Sequence, residues 1–237
     1  LHACLSELRR IKQAIVEGRL WEHLELRAHG HPSLLQALKH LRKYEDYLES
    51  HSPITKKSGL FFFGSLGLIR PEVVRHKKRI SERYSPPEGA RVLVLLPQTR
   101  TKPFHKSKEH QKVLKEIQRK LGNRMSEIHV CTYAAPFGIV PIELDEVYPL
   151  SQYEVATPLD VETINYTARQ VSDYVTSTNY KEIVLLQDVE TWKGKIATAC
   201  RRACKEKRIV PTVLRTKKPW NESTLSNLVT AIQNAIT

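Results

Sequence analysis

The sequence has few cysteines and no long apolar run, and each absence excludes a class of protein. Its four cysteines stand at positions 4, 131, 200 and 204 and form no Cys-x-x-Cys pair, so this chain encodes no zinc knuckle by itself. No segment reaches the roughly 18 consecutive apolar residues of a membrane-spanning helix. Residue 1 is Leu, and no signal peptide is visible. Scattered cysteines fit a reducing cytosol, so we expect a cytoplasmic protein with no membrane partner.

Acidic residues are too few to balance the basic ones. The formal net charge is +13 and the pI is about 9.6, although the hydrophobic content of 41% and the charged content of 27% are ordinary. A field of this sign attracts phosphate backbones or anionic membranes, and so high a pI favours nucleic acid. A basic surface without specificity is the alternative. Nucleic-acid binding predicts an affinity that falls steeply with salt.

Predicted strands and helices alternate after residue 90. The strands are 91–96, 128–133, 182–187 and 209–214, and the helices are 108–121, 160–178, 191–207 and 222–236. The strands are continuous apolar runs, which is typical of a parallel sheet covered on both faces. The predicted fold class is therefore α/β, a three-layer α/β/α domain with a mainly parallel sheet. Cys200 and Cys204 lie on one face of the third helix and are interpreted as small core residues.

A small helical region precedes this domain. Apolar residues recur at helical spacing between residues 5 and 49, and Pro71 suits the first turn of a further helix over 71–84. Residues 50–70 form a connector, in which the apolar run 60–63 predicts a short strand or a plug. Ser-Pro-Pro-Glu-Gly at 85–89 is the clearest boundary. It divides the chain into a helical region with its connector, 1–84, and an α/β/α domain, 85–237.

A polar stretch between the first predicted strand of this domain and its helix is where we expect a ligand. It runs from Pro97 to His110 and carries Arg100, Lys102 and Ser107. In an open α/β sheet, ligands bind in the crevice beyond the carboxyl ends of the strands. Ser107 suits the N-cap of the following helix, and His110 lies one turn into that helix.

This stretch resembles the core motif of the archaeosine synthase family, transglycosylase-like proteins that modify a guanine-derived base in archaeal tRNA. The matching residues are Pro97, Lys102, Pro103, Ser107 and His110. Two positions depart, because Gln98 stands where the family has Cys and Phe104 where it has Tyr. The resemblance implies an α/β domain similar in fold to uracil-DNA glycosylases.

The long segment 134–158 extends the resemblance. A connection of more than about 15 residues in a compact domain is usually functional, and its Pro136-Phe-Gly, Val140-Pro-Ile-Glu-Leu and Tyr148-Pro pieces are similar to the family's loop. Residues 9–32 resemble the end of an archaeal tRNA-guanine transglycosylase catalytic domain. His2 occupies the position of a zinc ligand there, but the three partner cysteines are absent. The resemblance therefore points to a lost upstream part or to a separate transglycosylase-like or RNA-binding chain.

The resemblance implies that free lysine is transferred to the nitrile carbon of 7-cyano-7-deazaguanine in the tRNA D-loop, which gives an amidine. A radical SAM partner then cleaves the adduct, and no cofactor or metal is expected in this chain. The residues assigned to catalysis are His110, Ser107, Lys102 and Gln98. Those assigned to substrate binding are Pro97, Pro103, Phe104, Phe137, Glu143, Tyr148 and Asp188, with Tyr153 as a further stacking residue and Arg100 as a further cation.

Each role follows from the chemistry of its side chain. The ordinary pKa of His110 lies near neutrality and suits proton transfer. Aromatic rings hold extruded bases by stacking. Glu143 or Asp188 would hold the lysine ammonium, and Lys102 or Arg100 would face a carboxylate or a phosphate.

Each assignment has a structural alternative. Ser107 could be a helix cap alone, and His110 a hydrogen-bonded core residue beside Leu114 and Ile117. Glu143 could tie down its own loop, and Asp188 could cap the next helix.

Gln98 bears directly on the mechanism. A cysteine there could attack a nitrile and form a thioimidate, whereas glutamine can only hydrogen-bond. Cys131 is either a substitute nucleophile or a buried core residue.

Three functions follow from the sequence: a lysine transferase, a non-catalytic tRNA-binding paralogue or scaffold, and, by fold analogy alone, a glycosylase of a uracil-like base. The stretches predicted to contact tRNA are 75–79, 106–120 and 193–208.

Overall fold

The computed structural model describes residues 1–237, which form ten α-helices and seven strands. The helices are α1 (His2–Val16), α2 (Leu20–Ala28), α3 (Pro32–His40), α4 (Glu45–Ser50), α5 (Pro71–Glu82), α6 (Lys108–Leu121), α7 (Val161–Ser177), α8 (Val189–Trp192), α9 (Lys195–Glu206) and α10 (Glu222–Ile236). The strands are β1 (Leu60–Phe62), β2 (Val92–Pro97), β3 (Ile128–Ala134), β4 (Gly138–Pro141), β5 (Tyr153–Val155), β6 (Glu182–Asp188) and β7 (Thr212–Thr216). No helix combines the length and the apolarity that crossing a bilayer requires.

A five-stranded sheet in the order β4-β3-β2-β6-β7 forms the centre of the molecule. β2 pairs in parallel with β3 and β6, and β6 pairs in parallel with β7. Every residue of β2 and β3 is buried, which explains why these strands read as continuous apolar runs. β4 returns antiparallel along β3 and lies inside the segment that the sequence pattern left irregular.

Helices cover both faces of the sheet. On one face, α7 and α9 pack on a cluster that includes Leu93, Leu95 and Val171. On the other, α6 and α10 pack on a cluster that includes Val94, Ile117 and Ile232. Successive side chains of β2 pack into opposite clusters, because side chains alternate between the two faces of a strand. The predicted three-layer α/β/α fold with a mainly parallel sheet is confirmed.

Capping side chains mark the starts of α6 and α10, and one predicted helix is interrupted. Ser107 accepts the backbone N–H of His110 at the start of α6 (3.1 Å), and Asn221 caps α10. The helix predicted over 191–207 is two helices, α8 and α9. Lys193 and Gly194 stand between them with φ of 50° and 76°, and left-handed residues cannot continue a right-handed helix. β7 also begins three residues later than predicted.

The helical region and the α/β layers share a sheet and a core. β1 pairs in parallel with β5, so the apolar run at 60–63 contains a strand, and its Phe62 is buried beside Phe137 and Tyr153. Arg70 is 0% exposed and donates to Glu22 (2.7 Å) and to the carbonyl of Phe61 (3.1 Å). Its guanidinium also lies 5.0 Å from the centroid of the Phe62 ring.

Candidate active site at the carboxyl edge of the sheet

The predicted crevice lies at the point where the strand connections diverge. The chain leaves β2 towards β3 on one side and leaves β6 towards β7 on the other, and ligands bind at such a switch point. A cavity of about 410 Å³ opens there, which we call the switch-point crevice. Its lining residues come from three segments: Gln98, Thr99, Arg100, Lys102, Glu154, Val155, Thr157, Asp188, Thr191 and Trp192. A larger cavity of about 580 Å³ beside α1, α2 and β1 contains no residue of the 97–110 motif.

Buried hydrogen bonds hold the floor of the switch-point crevice. Gln98 Oε1 accepts the backbone N–H of Ala135 (2.9 Å), so the exits of β2 and β3 are tied together. The Tyr133 hydroxyl donates to the carbonyl of Leu186 (2.7 Å) and accepts the backbone N–H of Asp188 (3.1 Å). The ends of β3 and β6 are therefore fixed on either side of β2. A site built on paired strand ends keeps its geometry better than one on free loops.

A buried carboxylate joins the two loops that the sequence predicted to face each other. Asp145 is buried and accepts the backbone N–H of His105 (2.8 Å) and its ring Nδ1–H (2.6 Å). The loop after β2 and the 134–158 segment are thereby held together, as expected from the pairing of β2 with β3.

Lys102 is the half-buried cation of the switch-point crevice. Its Nζ lies 3.3 Å from the carbonyl oxygen of Arg100 and 4.4 Å from the centroid of the Tyr153 ring. Burial lowers the pKa of Lys102, and the negative charge of Glu154 partly offsets this. The neutral amine is therefore more accessible than in an exposed lysine, which makes Lys102 a candidate for proton transfer.

Asp188 and Trp192 form the wall after β6. Asp188 Oδ1 accepts the backbone N–H groups of Glu190 (3.0 Å) and Thr191 (3.2 Å), so the predicted cap is present. Trp192 is fully buried, and its indole N–H has no hydrogen-bond partner. With Arg100, Lys102 and Glu154, this wall gives the crevice charges of both signs.

Ser107 and His110 lie behind the crevice rather than in it. Ser107 is buried and caps α6. His110 is 0% exposed and its Nε2–H donates to the carbonyl of Pro97 (3.0 Å), while its Nδ1 has no partner. Burial lowers the pKa of His110. The structure places both residues where they anchor the end of β2, because the apolar stripe of α6 turns His110 into the core.

The four aromatic residues chosen as stacking platforms do not line the switch-point crevice. Phe104, Phe137 and Tyr153 are buried together in one apolar cluster, and Tyr148 packs against it. Tyr148 faces a separate cavity of about 250 Å³ beside α5. Pro103 precedes the turn that buries Phe104. Their rings fill the space between the small β1–β5 sheet and the central sheet, so none presents a free face at the crevice.

Glu143 and Cys131 lie beside His129, on the amino-terminal half of β3, where Glu143 is partly exposed and Cys131 is buried. The antiparallel return of β4 carries Glu143 away from the crevice and beside His129 (3.2 Å) and the Tyr84 hydroxyl. Burial raises the pKa of Glu143, but hydrogen bonds from His129 and Tyr84 outweigh it and leave the pKa low. Cys131 is fully buried and desolvation raises its pKa, so it is a core thiol.

The other cysteine and histidine residues discussed from the sequence lie either in the core or at the start of α1. Cys200 and Cys204 are buried on one face of α9 with their sulfur atoms 3.9 Å apart, which confirms them as core residues. His2 begins α1 and is exposed. No group of three His, Cys, Asp or Glu side chains is arranged to hold a metal ion.

Sequence reasoning missed Trp192, Thr191 and Glu154. The first two follow Asp188 at a strand end, which is a signal that the switch-point rule could have used. Glu154 reaches the crevice only because β5 pairs with β1, and no local pattern marks that pairing.

Comparison with known sequences decides the family. The model described as Domain of unknown function (DUF5591) matches residues 73–232. The chain belongs to the DUF5591 family. Proteins named tRNA-guanine(15) transglycosylase are similar to this DUF5591 chain. The one from Methanocaldococcus jannaschii is 38% identical over 163 residues, which cover 68% of this chain and 22% of the relative. The one from Methanococcus maripaludis strain C6 is 34% identical over 192 residues, which cover 81% of this chain and 26% of the relative.

A third relative of that name, from Saccharolobus solfataricus, is 33% identical over 188 residues, covering 78% of this chain and 36% of the relative. The DUF5591 chain thus spans between about a fifth and a little over a third of the length of these three relatives. Among solved structures, the crystal structure of AF0587, a protein of unknown function, is similar with a TM-score of 0.47 and 17% identity. That match covers 66% of this chain and 49% of the other.

Proposed function

We propose that this chain carries out the lysine-transfer step of archaeosine formation, with free lysine and the 7-cyano-7-deazaguanine of tRNA meeting in the switch-point crevice. The observation that carries the proposal is a crevice with charges of both signs at the strand ends that bear the 97–110 motif. The motif's resemblance supplies the reaction. The relatives' name, tRNA-guanine(15) transglycosylase, supports a tRNA guanine as the site of modification.

A free amino acid needs partners for an ammonium and for a carboxylate. Asp188 and Glu154 are suited to an ammonium group, and Arg100 is suited to two-point binding of a carboxylate. The volume of about 410 Å³ lies within the usual range for small-ligand sites.

The reaction is an addition and needs no oxidant or reductant. The neutral side-chain amine of lysine forms a bond to the nitrile carbon, and one π bond of the nitrile breaks. The nitrile nitrogen takes a proton, and the attacking nitrogen loses one, so the product is an amidine with every atom of both reactants. Lys102 is the crevice group assigned to both proton transfers, because burial lowers its pKa and makes the neutral amine more accessible than in an exposed lysine.

His110 and Ser107 act as positioning residues in this proposal. Their hydrogen bonds fix the end of β2 against the start of α6. This departs from the direct proton transfer that the sequence suggested for His110, because its ring is enclosed. Pro97 contributes its carbonyl to the same contact.

The experiment is incorporation of labelled lysine into tRNA that bears 7-cyano-7-deazaguanine. We expect label with the wild-type chain, together with any partner chain that it needs, and a rate lowered on the order of 100-fold in Lys102→Met, the size of a lost proton-transfer group. Lys106→Met is the matched control, because Lys106 is in the same loop but exposed and paired with Glu146. Absence of label under all conditions contradicts the transferase.

A second function is favoured by Gln98. Its side-chain oxygen is committed to Ala135 N–H, which is a structural use of a position where the family has Cys. A non-catalytic tRNA-binding paralogue or scaffold subunit keeps this bond and needs no nucleophile. Salt-sensitive tRNA binding without lysine incorporation supports that function.

Completion of the pathway requires other proteins in this proposal. A radical SAM partner cleaves the lysine adduct, and a separate transglycosylase-like or RNA-binding chain is the expected assembly partner. Incorporation that appears only after such a chain is added supports a split enzyme.

A further inference from the structure

Part of the basic surface is already neutralised by the protein's own carboxylates. Arg75 of α5 is buried and donates to Glu49 (2.7 Å), and Lys78 contacts the same carboxylate (3.2 Å). Near and along α6, Lys112 pairs with Glu222 (3.1 Å) and Arg119 with Glu116 (2.8 Å). Two of the three stretches predicted to contact tRNA, 75–79 and 106–120, therefore have much of their charge engaged in internal pairs.

A second set of basic residues has no acidic partner. These residues, which we call the basic rim, are Arg100, Lys193, Lys195, Arg215, Lys217 and Lys218. All six are exposed, and no carboxylate oxygen lies within 4.0 Å of their side-chain nitrogens. An unpaired cation on the surface keeps its counterions and can exchange them for phosphates.

The parallel register gathers the basic rim at one edge. β6 and β7 end together, with Asp188 opposite Thr216, so Lys217 and Lys218 leave the sheet beside the crevice. Arg100 follows β2, the neighbour of β6 on the other side. Since neighbouring strands lie about 4.8 Å apart, the distance from β2 to β7 is about 10 Å. The rim therefore crosses the mouth of the switch-point crevice.

The break between α8 and α9 places two further residues of the basic rim, Lys193 and Lys195, near the crevice. Lys193 and Gly194 adopt left-handed conformations directly after Trp192, which lines the crevice. The turn leaves Lys193 and Lys195 exposed beside that wall. A continuous helix would have placed Lys193 and Lys195 about 200° apart around its axis, on nearly opposite faces.

The acidic groups near the basic rim are outnumbered. Asp188 and Glu154 line the crevice, and Glu190 is exposed on α8. Asp188 already accepts two backbone N–H groups. Six cations against three carboxylates leave a positive field where a phosphate backbone would pass.

We propose that the basic rim binds the phosphate backbone of RNA, so that a bound strand runs across the mouth of the switch-point crevice. The identity of that RNA as the modified tRNA rests on the proposed function, but backbone binding does not. A strand held in this way presents its bases to the crevice, while the charged side chains contact only phosphates.

The test compares two triple variants that remove the same charges from opposite edges. The rim variant is Lys193→Gln, Arg215→Gln, Lys217→Gln. The control is Lys181→Gln, Arg202→Gln, Lys205→Gln, whose residues are exposed and unpaired but lie before β6 or in the second half of α9. Each variant loses one arginine and two lysines. Binding of a fluorescently labelled, unmodified tRNA transcript is measured by anisotropy between about 50 and 200 mM salt.

We expect the rim variant to bind on the order of 100-fold more weakly at about 0.1 M salt, with a log–log salt slope reduced by about 2, as expected for three lost phosphate contacts. The control should keep the wild-type slope. Equal losses in both variants, or none in the rim variant, would overturn the proposal. Rim-dependent binding to phosphatidylserine vesicles without rim-dependent RNA binding also overturns it.

The two proposals fail separately. Rim-dependent RNA binding without lysine incorporation contradicts the transferase alone. Lysine incorporation with rim-independent RNA binding contradicts the basic rim alone.

Discussion

At the scale of single residues, one carboxylate combines a structural and a chemical role. Asp188 uses Oδ1 to cap α8 and thereby fixes the first turn after β6. Its charge faces a crevice that also contains Lys102 and Arg100. The two roles can be separated because asparagine caps a helix as well as aspartate does.

Asp188→Asn is therefore expected to keep the fold and weaken lysine binding. Loss of a hydrogen bond to a charged group is worth about 1.5–3 kcal/mol, so the KM for lysine should rise roughly 10-fold or more while kcat changes less. Steady-state incorporation kinetics measure this split, and thermal unfolding checks the cap. Glu190→Gln removes a neighbouring charge outside the crevice and serves as the control. An unchanged KM in Asp188→Asn contradicts the ammonium site.

His76 gives the fold a defined sensitivity to acid. It is 8% exposed on α5, and its Nε2–H donates to the carbonyl of Ile139 (2.7 Å). Burial, with Arg79 nearby, lowers the pKa of His76 to about 4. The unfolded chain therefore binds a proton more readily than the native state, and stability declines as the pH falls below the ordinary histidine value of about 6.5.

We expect the His76 contribution to stability to be complete above pH 7 and lost progressively between about pH 6.5 and 4, up to about 3 kcal/mol. His76→Gln keeps a donor for Ile139 and should flatten this part of the profile. Urea unfolding midpoints at several pH values measure it. His40→Gln, an exposed position on α3, should leave the profile as in wild type. Parallel profiles for His76→Gln and wild type would contradict the assignment.

At the scale of secondary-structure elements, two glycines have nearly the same positive φ in different surroundings. Gly138 begins β4 with φ +80°, and Gly194 precedes α9 with φ +76°. A Cβ at Gly138 would lie 2.4 Å from the Cβ of Gln170 on α7, whereas one at Gly194 would meet nothing within 4 Å. The pair separates the conformational penalty from the packing penalty.

Gly194→Ala should lower the free energy of unfolding by about 1 kcal/mol, the penalty of a left-handed alanine. Gly138→Ala should lower it by that amount plus about 1–3 kcal/mol, because the added methyl group forces α7 away from β4. Chemical denaturation of both variants gives the difference. Equal losses would mean that α7 adjusts without penalty.

The same elements mark the limit of what the sequence could predict. Helices 108–121 and 222–236 were predicted to the residue because a capping side chain and a regular apolar stripe agree. β4 and the α8–α9 break were missed, since a four-residue strand and a two-residue left-handed turn have no periodicity. In the crevice, the strand-end rule brought Gln98, Lys102 and Asp188 together. Local pattern gave no sign that Phe104 and Phe137 point into the core, and it left the buried position of His110 as an alternative, because packing against distant strands decides these directions.

At the scale of the whole molecule, one buried cation joins α2, β1 and the start of α5 within the helical region and its connector. Arg70 lies between α2 and the small β1–β5 sheet, with Glu22 and Glu72 as its ionic partners. Removing one member of a buried ionic group leaves an uncompensated charge. A second ion pair, Arg42 to Glu162 (2.7 Å), joins the helical region to α7 of the α/β layers and is about half exposed.

Arg70→Met is expected to destabilise the protein by about 3–5 kcal/mol, because Glu22 loses its cationic partner and the buried Glu72 keeps only Lys56. Arg42→Met should change the stability by no more than about 1 kcal/mol, the usual value for an exposed pair. Thermal and urea unfolding of both variants measure the contrast. A small loss in Arg70→Met would mean that Lys56, which also contacts Glu72, compensates it.

The pairing of β1 with β5 has a consequence for how such a unit can be reused in other proteins. Glu154, on the wall of the switch-point crevice, sits on a strand whose only neighbour is supplied by residues 60–62. A recombination event that transferred residues 85–237 alone would carry an unpaired three-residue edge and an open crevice into the new protein. The segment that must be transferred to keep this site intact therefore includes the connector as well as the α/β layers. A chimeric protein that carries the site should begin before residue 60.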